Sequence, residues 1–560
     1  MRLDKSAKLL FAALAAAVLL GAFGARDRDI RKASGAINGE VYRELIAKIA
    51  GDDFEGRSPG TKGEQTTVEF IEEQFGEIGL QPVAGGSYRQ DVKLVEITAS
   101  AQQLTFNRGG GALNLAFGDD MVLATRRVQP ASSIAGSEVV FVGYGIVAPE
   151  YGWNDYASLD MRGKTALILV NDPGFVTGEA ALFGGKAMTY HGRWTYKYEE
   201  AARQGAAAAI IVHDTAPAAY DWTVVRNGWT GPQFYQDRAD GNAGRTALEG
   251  WITQPRARQL MELAGQDFDA LQAAAVKRGF KPVPLGVTAT GGVRNAIRRM
   301  RSPNVAGVMP GKDRPDEYVI YVAHWDHLGV AEELAEDRIY NGAVDNATGV
   351  AAILAIARGF RDLLPGPSRS VIFMAVTAEE SGLLGSEFYA EKPLVPLEKT
   401  AAVINIDALY PIGRAKDVEV IGFGASELED LLASAARSQG RSLTPDRKPE
   451  AGYFYRSDHF NFAKAGVPAL YIKSGAMLRD GGKEAGVAWQ EKYVAERYHK
   501  PDDEYQDDWN VGGSIEDLHL LFEVGVRVAN GESWPAWYEG NEFRAARDQS
   551  AAARKPAKKD

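Results

Sequence analysis

Apolar and polar positions alternate in a regular order through the second half of the chain. Short apolar runs rich in β-formers are separated by longer segments with apolar residues at helical spacing. The apolar runs are Tyr318 to Ala323, Ser370 to Val376, Ala401 to Ile406 and Ala469 to Ile472. The helical segments are Gly349 to Phe360 and Glu427 to Ser438. This order predicts an α/β fold with a mainly parallel sheet flanked by helices on both faces.

The first half of the chain has two further patterns. Apolar residues at helical spacing predict helices over 41–49 and 66–78, and short strands follow near Val92 to Ile97 and Gln103 to Phe106. From about residue 136, strands near 139–142, 165–170 and 207–212 alternate with a helix at 198–204. This second pattern predicts a smaller, inserted α/β unit that extends with glycine-rich loops to roughly residue 290.

A chain of 560 residues exceeds what one hydrophobic core usually organises, so two or three domains are expected. The patterns divide it into a signal peptide at 1–25, an amino-terminal portion at 37–135, the inserted unit at 136–290 and a main domain at 291–535. Residues 536–560 are expected to be a tail, disordered at its basic end.

Composition narrows the possible chemistry. A formal net charge of -11 argues against nucleic acid as a partner, because phosphate binding needs a clustered positive surface. The chain has no cysteine, which excludes disulfides and thiolate metal sites. Any metal site must therefore use histidine, aspartate and glutamate.

The amino terminus has the pattern of a signal peptide. Arg2, Lys5 and Lys8 precede an uncharged run at 9–25, and small residues around Ala22 to Gly24 offer a cleavage site. We therefore expect a periplasmic or secreted protein without a stable membrane span after cleavage. The apolar run is at the short limit for a membrane span, so an uncleaved anchor is the alternative.

Metal-binding side chains follow three of the predicted strands. His324 and Asp326 follow the first, Glu379 and Glu380 the second, and Asp407 the third. Ligands bind at the carboxyl ends of strands in open α/β sheets, so these residues are expected to lie close together.

Two further candidates lie in loops. Asp345 precedes a helix, and His499 follows the last strand by a long connection. Each residue alone has an ordinary structural reading, and Asp345 in particular resembles a helix cap. Together the segments could hold two metal ions that share a carboxylate.

The ordered motifs resemble the two-zinc aminopeptidases of peptidase family M28. The matching segments are HWDHLG (324–329), GAVDNATG (342–349), EESGLLGS (379–386), NID (405–407) and YHKPDD (498–503). EGRSPGT (55–61) is similar to the family's amino-terminal portion. The inserted unit resembles a protease-associated (PA) domain, through GYGI (143–146), NDY (154–156), Gly163-Lys164 and the segment 198–212. A PA-like domain implies a possible protein partner.

The resemblance implies a role for each ligand. Asp345 bridges two zinc ions; His324 and Asp407 complete one site, and Glu380 and His499 the other. Other divalent metals also accept such ligands.

The same resemblance and ordinary chemistry assign the remaining residues. Asp326 is expected to accept the second ring N–H of His324, and Glu379 to be the general base. Tyr455 and Tyr498 are both candidates for a hydrogen-bond donor to the tetrahedral intermediate. His327 and His459 are expected outside the ligand set.

The resulting hypothesis is an exported aminopeptidase that acts on peptide substrates. A carboxypeptidase or dipeptidase with the same metals is the nearest rival, because the motifs do not determine which peptide end enters. Glutaminyl cyclases share the fold, but the complete ligand set with Glu379 favours hydrolysis. An inactive peptidase-like binding protein would be expected to have lost ligands.

Overall fold

The computed structural model describes residues 28–83, 85–331 and 336–554. The predicted signal peptide and the end of the basic tail lie outside these ranges. The chain divides into two compact units. The first contains the residues up to Asp91 together with 302–446 and 457 onward, and the second contains 92–301 and 447–456.

The first unit is built on a mixed sheet with four parallel strands at its centre. In spatial order these are Ala469–Ser474, Thr400–Asn405, Arg314–His324 and Arg369–Val376. An antiparallel strand lies on each side of these four. On one side, Asp417–Val420 also pairs in parallel with Ser442–Pro445. On the other, the end of Val283–Met309 also pairs antiparallel with Gln81–Pro82. Gly329–Val330 and Ile339–Tyr340 form a separate two-stranded sheet. The predicted α/β class with a mainly parallel sheet is confirmed.

Helices flank this sheet, and local signals fix their ends. Asn38 caps the first turn of Gly39–Ile49, and Gly79 ends Lys62–Ile78 in the left-handed conformation at a φ of 87°. The other helices are Thr348–Asp362, Leu384–Glu391, Leu428–Ser438, His459–Lys464, Gly482–Glu496, Gly512–Asn530 and Arg544–Arg554. Shorter turns are Asp52–Arg57, Leu397–Lys399 and the π-helical Ala343–Ala347, and residues 28–34 are also helical.

The segment Ala343–Asp362 is the most deeply buried helical part of the first unit. It is long and apolar enough to cross a membrane, yet 94% of its most apolar window is buried inside the protein. Burial of this kind is expected for a helix that covers a parallel sheet. Its apolar character therefore has an explanation within the fold.

The second unit has its own hydrophobic core, built around a further group of strands. Ala131–Phe141, Thr165–Leu169, Ala208–His213 and Leu248–Thr253 are parallel, with Met121–Ala124 antiparallel at one edge and the first part of Val283–Met309 at the other. Arg89–Arg108, Gly111–Leu115 and Pro232–Gln236 pair antiparallel, as do Val147–Ala148 and Trp153–Asn154. Its helices are Pro173–Thr177, Trp194–Arg203, Thr215–Ala218, Trp222–Gly228, Gln254–Leu263 and Phe268–Ala275. Its short turns are Pro149–Tyr151, Tyr190–Gly192, Pro449–Ala451 and Tyr453–Tyr455.

The second unit is larger than the insertion expected at 136–290. It begins at Val92, inside the strand Arg89–Arg108, and ends inside the strand Val283–Met309. A boundary within a strand has no turn residues to mark it in sequence. The expected glycine-rich loops before residue 290 also contain the helices 254–263 and 268–275.

The carboxyl-terminal segment is helical over Arg544–Arg554. Trp537 is fully buried, and Arg547 donates to the carbonyls of Thr400, Ala401 and Pro535. The expected tail at 536–560 therefore contributes to the first unit along most of its length.

Candidate metal centre

Three parallel strands bring the predicted ligands to one edge of the first sheet. Arg314–His324 ends at His324, Arg369–Val376 ends three residues before Glu379, and Thr400–Asn405 ends two residues before Asp407. Parallel strands have their carboxyl ends at the same edge, which is where the side chains meet.

Asp345 lies between two histidines. Its Oδ1 is 3.2 Å from His324 Nε2, and its Oδ2 is 3.2 Å from His499 Nε2. Gly342 shapes this loop: its φ is 54°, and a Cβ there would lie 2.3 Å from the carbonyl oxygen of Asp345. The two carboxylate oxygens of Asp345 therefore face two different imidazoles.

Each histidine also faces a second carboxylate. Asp407 Oδ1 is 3.7 Å from His324 Nε2, and Glu380 Oε2 is 3.0 Å from His499 Nε2. The arrangement has two halves, His324 with Asp407 and His499 with Glu380, with Asp345 shared between them. All five predicted ligands lie in this cluster.

The cluster has the properties of a cation site. The Nε2 atoms of His324 and His499 are buried and have no hydrogen-bond partner. The ligand atoms of His324, Asp345 and Asp407 all lie within 4.8 Å of one another, a spacing that could hold an ion. Nitrogen and carboxylate donors without thiolates suit zinc and similar divalent ions. The residues present therefore fit bound zinc.

The charged groups shift one another's pKa. Burial of the imidazole acts to lower the pKa of His499, but the carboxylates of Glu380 and Asp345 raise it to about 10. The pKa of Glu380 falls to about 2 despite burial, because His499 and His327 lie beside it. Burial and the neighbouring Glu380, Asp407 and Asp458 carboxylates raise the pKa of Glu379 well above its usual range.

Asp326 contacts different groups from those predicted. Its Oδ1 accepts the backbone N–H of Glu379 at 3.0 Å, and its Oδ2 accepts that of Glu380 at 3.3 Å. The Nδ1 of His324 is 3.9 Å from Oδ1 of Asp326 but 3.1 Å from the backbone carbonyl of Asp326. Its carboxylate therefore positions the two glutamates, and the main chain of the same residue orients His324.

Glu379 lies beside the cluster, within reach of both His324 and Glu380. One of its carboxylate oxygens lies within 4.8 Å of ligand atoms of both His324 and Glu380. Its amide is held by Asp326, so the side chain projects from a fixed backbone.

The two candidate tyrosines have different surroundings. The ring of Tyr498 stacks on that of His499, with centroids 3.9 Å apart and an interplanar angle of 25°. Tyr455 belongs to the second unit, where its ring centroid is 6.2 Å from that of Tyr190. Tyr498 therefore supports the orientation of a predicted ligand.

Two other histidines, His327 and His459, were expected outside the ligand set. His327 Nδ1 lies 2.6 Å from Glu380 Oε1, on the oxygen that does not face His499. His459 packs with its ring centroid 5.0 Å from that of Tyr471. His327 is thus a hydrogen-bond partner of a predicted ligand.

Asp503 is a supporting residue to which the sequence analysis assigned no role. Its carboxylate accepts the N–H of Asp345 at 3.0 Å and that of Val344 at 3.2 Å, and Tyr493 donates its hydroxyl at 3.2 Å. Its carbonyl accepts the N–H of Ala343 at 2.8 Å. This fully buried carboxylate fixes the loop that carries Asp345. Its position in YHKPDD was the available signal.

Arg57 is a second supporting residue without an assigned role. This buried guanidinium donates to the carbonyls of Trp325, Ile49, Asn341 and Gly342 at 2.6 to 3.0 Å. It joins the amino-terminal segment to the loops that carry His324 and Asp345. The EGRSPGT motif contained it.

Comparisons with known proteins agree with this geometry. Residues 304–522 match the family model described as Peptidase family M28. The chain is 38% identical over 137 residues to Aminopeptidase NAALADL1 of Mus musculus, covering 23% of this chain and 17% of that protein. It is 28% identical over 193 residues to the Glutamate carboxypeptidase 2 homolog of Caenorhabditis elegans, covering 33% of this chain and 23% of that protein. The chain thus spans less than a quarter of the length of these curated relatives.

A solved structure extends the likeness in fold to most of the chain. The aminopeptidase from Aneurinibacillus sp. strain AM-1 aligns with a TM-score of 0.51 at 20% identity, covering 90% of this chain and 97% of that chain. At this identity the match concerns the fold alone. Residues 304–522, which contain the five matched motifs and the cluster, match peptidase family M28.

Proposed function

We propose that this protein is an exported two-zinc aminopeptidase that removes amino-terminal residues from peptides. The observation that carries the proposal is the shared carboxylate of Asp345, with one oxygen 3.2 Å from each of two buried imidazole nitrogens that have no hydrogen-bond partner. A carboxylate between two such half-sites is the arrangement of a two-metal hydrolase.

The chain's own residues would hold the two ions in separate halves. Asp345, His324 and Asp407 would hold one, and Asp345, His499 and Glu380 the other. When bound, zinc would supply Lewis acidity that polarises the peptide carbonyl and lowers the pKa of water to about 7.

Glu379 is the proposed proton carrier. It would take a proton from the attacking water and return it to the departing amine, as a general base and then a general acid. Asp326 holds the Glu379 amide and therefore limits where the carboxylate can move. The raised pKa of Glu379 suits a group that must both accept and release a proton. Tyr498, whose ring stacks on that of His499, is the proposed donor that stabilises the tetrahedral intermediate.

A carboxypeptidase is the second candidate, because one curated relative is named as an aminopeptidase and another as a glutamate carboxypeptidase homolog. The metal cluster is compatible with either orientation of the peptide. The inactive binding protein is less well supported, because every predicted ligand is present in the cluster.

Export and a PA-like role of the second unit belong to the same proposal. Export is supported by the amino-terminal charge and hydropathy pattern, and cell fractionation of the full-length protein tests it. The second unit, by its resemblance to a PA domain, would bind a protein or peptide partner.

One assay separates the candidate activities. Purified protein is incubated, with and without a chelator, with aminoacyl chromogenic substrates and with peptides blocked at either end. Chelator-sensitive release from free amino termini is expected. Cleavage restricted to amino-blocked peptides would replace the aminopeptidase with a carboxypeptidase, and no chelator-sensitive cleavage would favour the binding protein.

A further inference from the structure

A cavity of about 620 Å³ in the first unit is lined by three arginines, Arg43, Arg414 and Arg479. One carboxylate, Glu516, is the only acidic side chain in its lining. The arginines and this glutamate sum to a formal charge of +2, three minus one, in a chain whose net charge is -11. We call these four residues and the space between them the arginine cavity. Positive charge concentrated in a concave site attracts anions.

The walls of the arginine cavity are tied together by hydrogen bonds. The N–H of Arg479 donates to the carbonyl of Arg414 at 2.8 Å, and Gln439 donates its side-chain amide to the carbonyl of Glu516 at 3.0 Å. A Cβ on Gly513 would lie 1.9 Å from the carbonyl oxygen of Gly413, so this loop packs directly on the start of a helix. The arginines are therefore presented by a pre-formed frame.

Two of the three guanidiniums share one weakly engaged carboxylate, Glu516. Arg479 Nη2 is 3.3 Å and Arg414 Nε is 3.5 Å from Glu516 Oε1, whereas charge-assisted hydrogen bonds are about 2.7 to 2.9 Å long. Within the residues that the structure describes, Arg43 has no hydrogen bond or ion pair. The arginine cavity thus has more cationic donors than its own acceptor satisfies.

We propose that the arginine cavity binds a small molecule carrying two or more anionic groups, either carboxylates or phosphates. The planar fork of arginine matches both groups in a bidentate manner. The volume lies within the range of small-molecule sites, about 300 to 1,000 Å³. None of its four charged residues is a predicted metal ligand, so the proposal does not depend on the peptidase activity.

The test is a calorimetric titration of the full-length, zinc-loaded protein with two probes, tricarballylate and pyrophosphate. At least one is expected to bind, and Arg43→Gln and Arg479→Gln should each weaken that binding about tenfold, the value of a charge-assisted hydrogen bond. Glu516→Gln should strengthen it, because the competing carboxylate is removed. A merely structural role for Glu516 would not increase affinity.

The matched control is Arg162→Gln, which removes one exposed arginine in the second unit and should leave binding unchanged. Circular dichroism of each variant verifies folding. The preferred probe distinguishes carboxylate from phosphate ligands. Absence of binding by both probes at millimolar concentration would overturn the proposal, and so would equal affinity in the arginine variants, since the probe would then occupy another site such as the metal centre.

Discussion

Asp503→Asn tests whether a residue that is not a ligand controls metal binding. The substitution keeps the volume of the side chain but removes its charge and one acceptor oxygen. In the native protein both oxygens receive N–H groups, from Val344 at 3.2 Å and from Asp345 at 3.0 Å. In the variant, both amides lose their charged acceptor, and only one neutral oxygen remains to receive them.

The expected loss follows from these contacts. A hydrogen bond to a charged group contributes about 1.5 to 3 kcal/mol and a neutral one about 0.5 to 1.5 kcal/mol, so two weakened amide contacts cost about 2 kcal/mol. That energy corresponds to roughly a 30-fold change in an equilibrium constant and lies within the 10- to 100-fold range for outer-shell partners of metal ligands. We therefore expect zinc affinity to fall by about this factor.

Competition with a chromogenic chelator measures the affinity directly. Asp502→Asn is the matched control, because this neighbouring aspartate is exposed and the Asp503 carboxylate is fully buried. Thermal unfolding of the metal-free proteins separates a general loss of stability from a change at the centre. Equal zinc affinity in Asp503→Asn and the control would refute the argument that Asp503 positions Asp345.

Three further results are expected. Glu379→Gln should abolish turnover and retain bound metal, measured by kinetics and elemental analysis; near-normal turnover would exclude Glu379 as the base. Zinc binding to the metal-free protein at pH 7 should release a proton from His499, because its pKa of about 10 keeps the imidazole protonated until the metal binds Nε2. Zinc affinity should therefore fall as the pH is lowered. Calorimetry in buffers of different ionisation enthalpy detects the proton release, and binding heats that do not depend on the buffer would contradict it. Arg57→Met should lower the free energy of unfolding by about 3 kcal/mol, since the buried carbonyls lose their hydrogen-bond donor. Denaturant unfolding measures this, with Lys62→Met at an exposed position as the control. The unfolding midpoint should fall only in the Arg57 variant.

The fold was predictable because its elements have strong local patterns. The run 318–323 lies inside the strand Arg314–His324, and the segment 349–360 lies inside the helix Thr348–Asp362. The two strands expected near 92–97 and 103–106 are one continuous strand, Arg89–Arg108. Its middle departs from extended geometry at Ala101, where φ is 50°, and its two ends pair with different partners, Pro232–Gln236 and Gly111–Leu115.

The ligand cluster was predictable to the extent that it depends on strand ends and motifs. The contacts of Asp326 were not, because they depend on the main chain: its carboxylate receives two amides, and its carbonyl orients His324. Asp503 was overlooked for the same reason, since its partners are the backbone amides of Val344 and Asp345. Sequence patterns report side-chain types and do not show which backbone groups need an acceptor.

The discontinuity of the second unit limits how this chain can be divided. Residues 447–456 belong to it, although they lie far from 92–301 along the chain. Within the unit, the N–H of Met188 donates to the carbonyl of Pro449 at 3.0 Å, and a Cβ on Gly452 would lie 2.7 Å from the Met188 sulfur. A gene fragment encoding only 92–301 would expose this contact surface. Transplanting the unit into another enzyme would therefore require two separate splices, which makes exchange by simple recombination difficult.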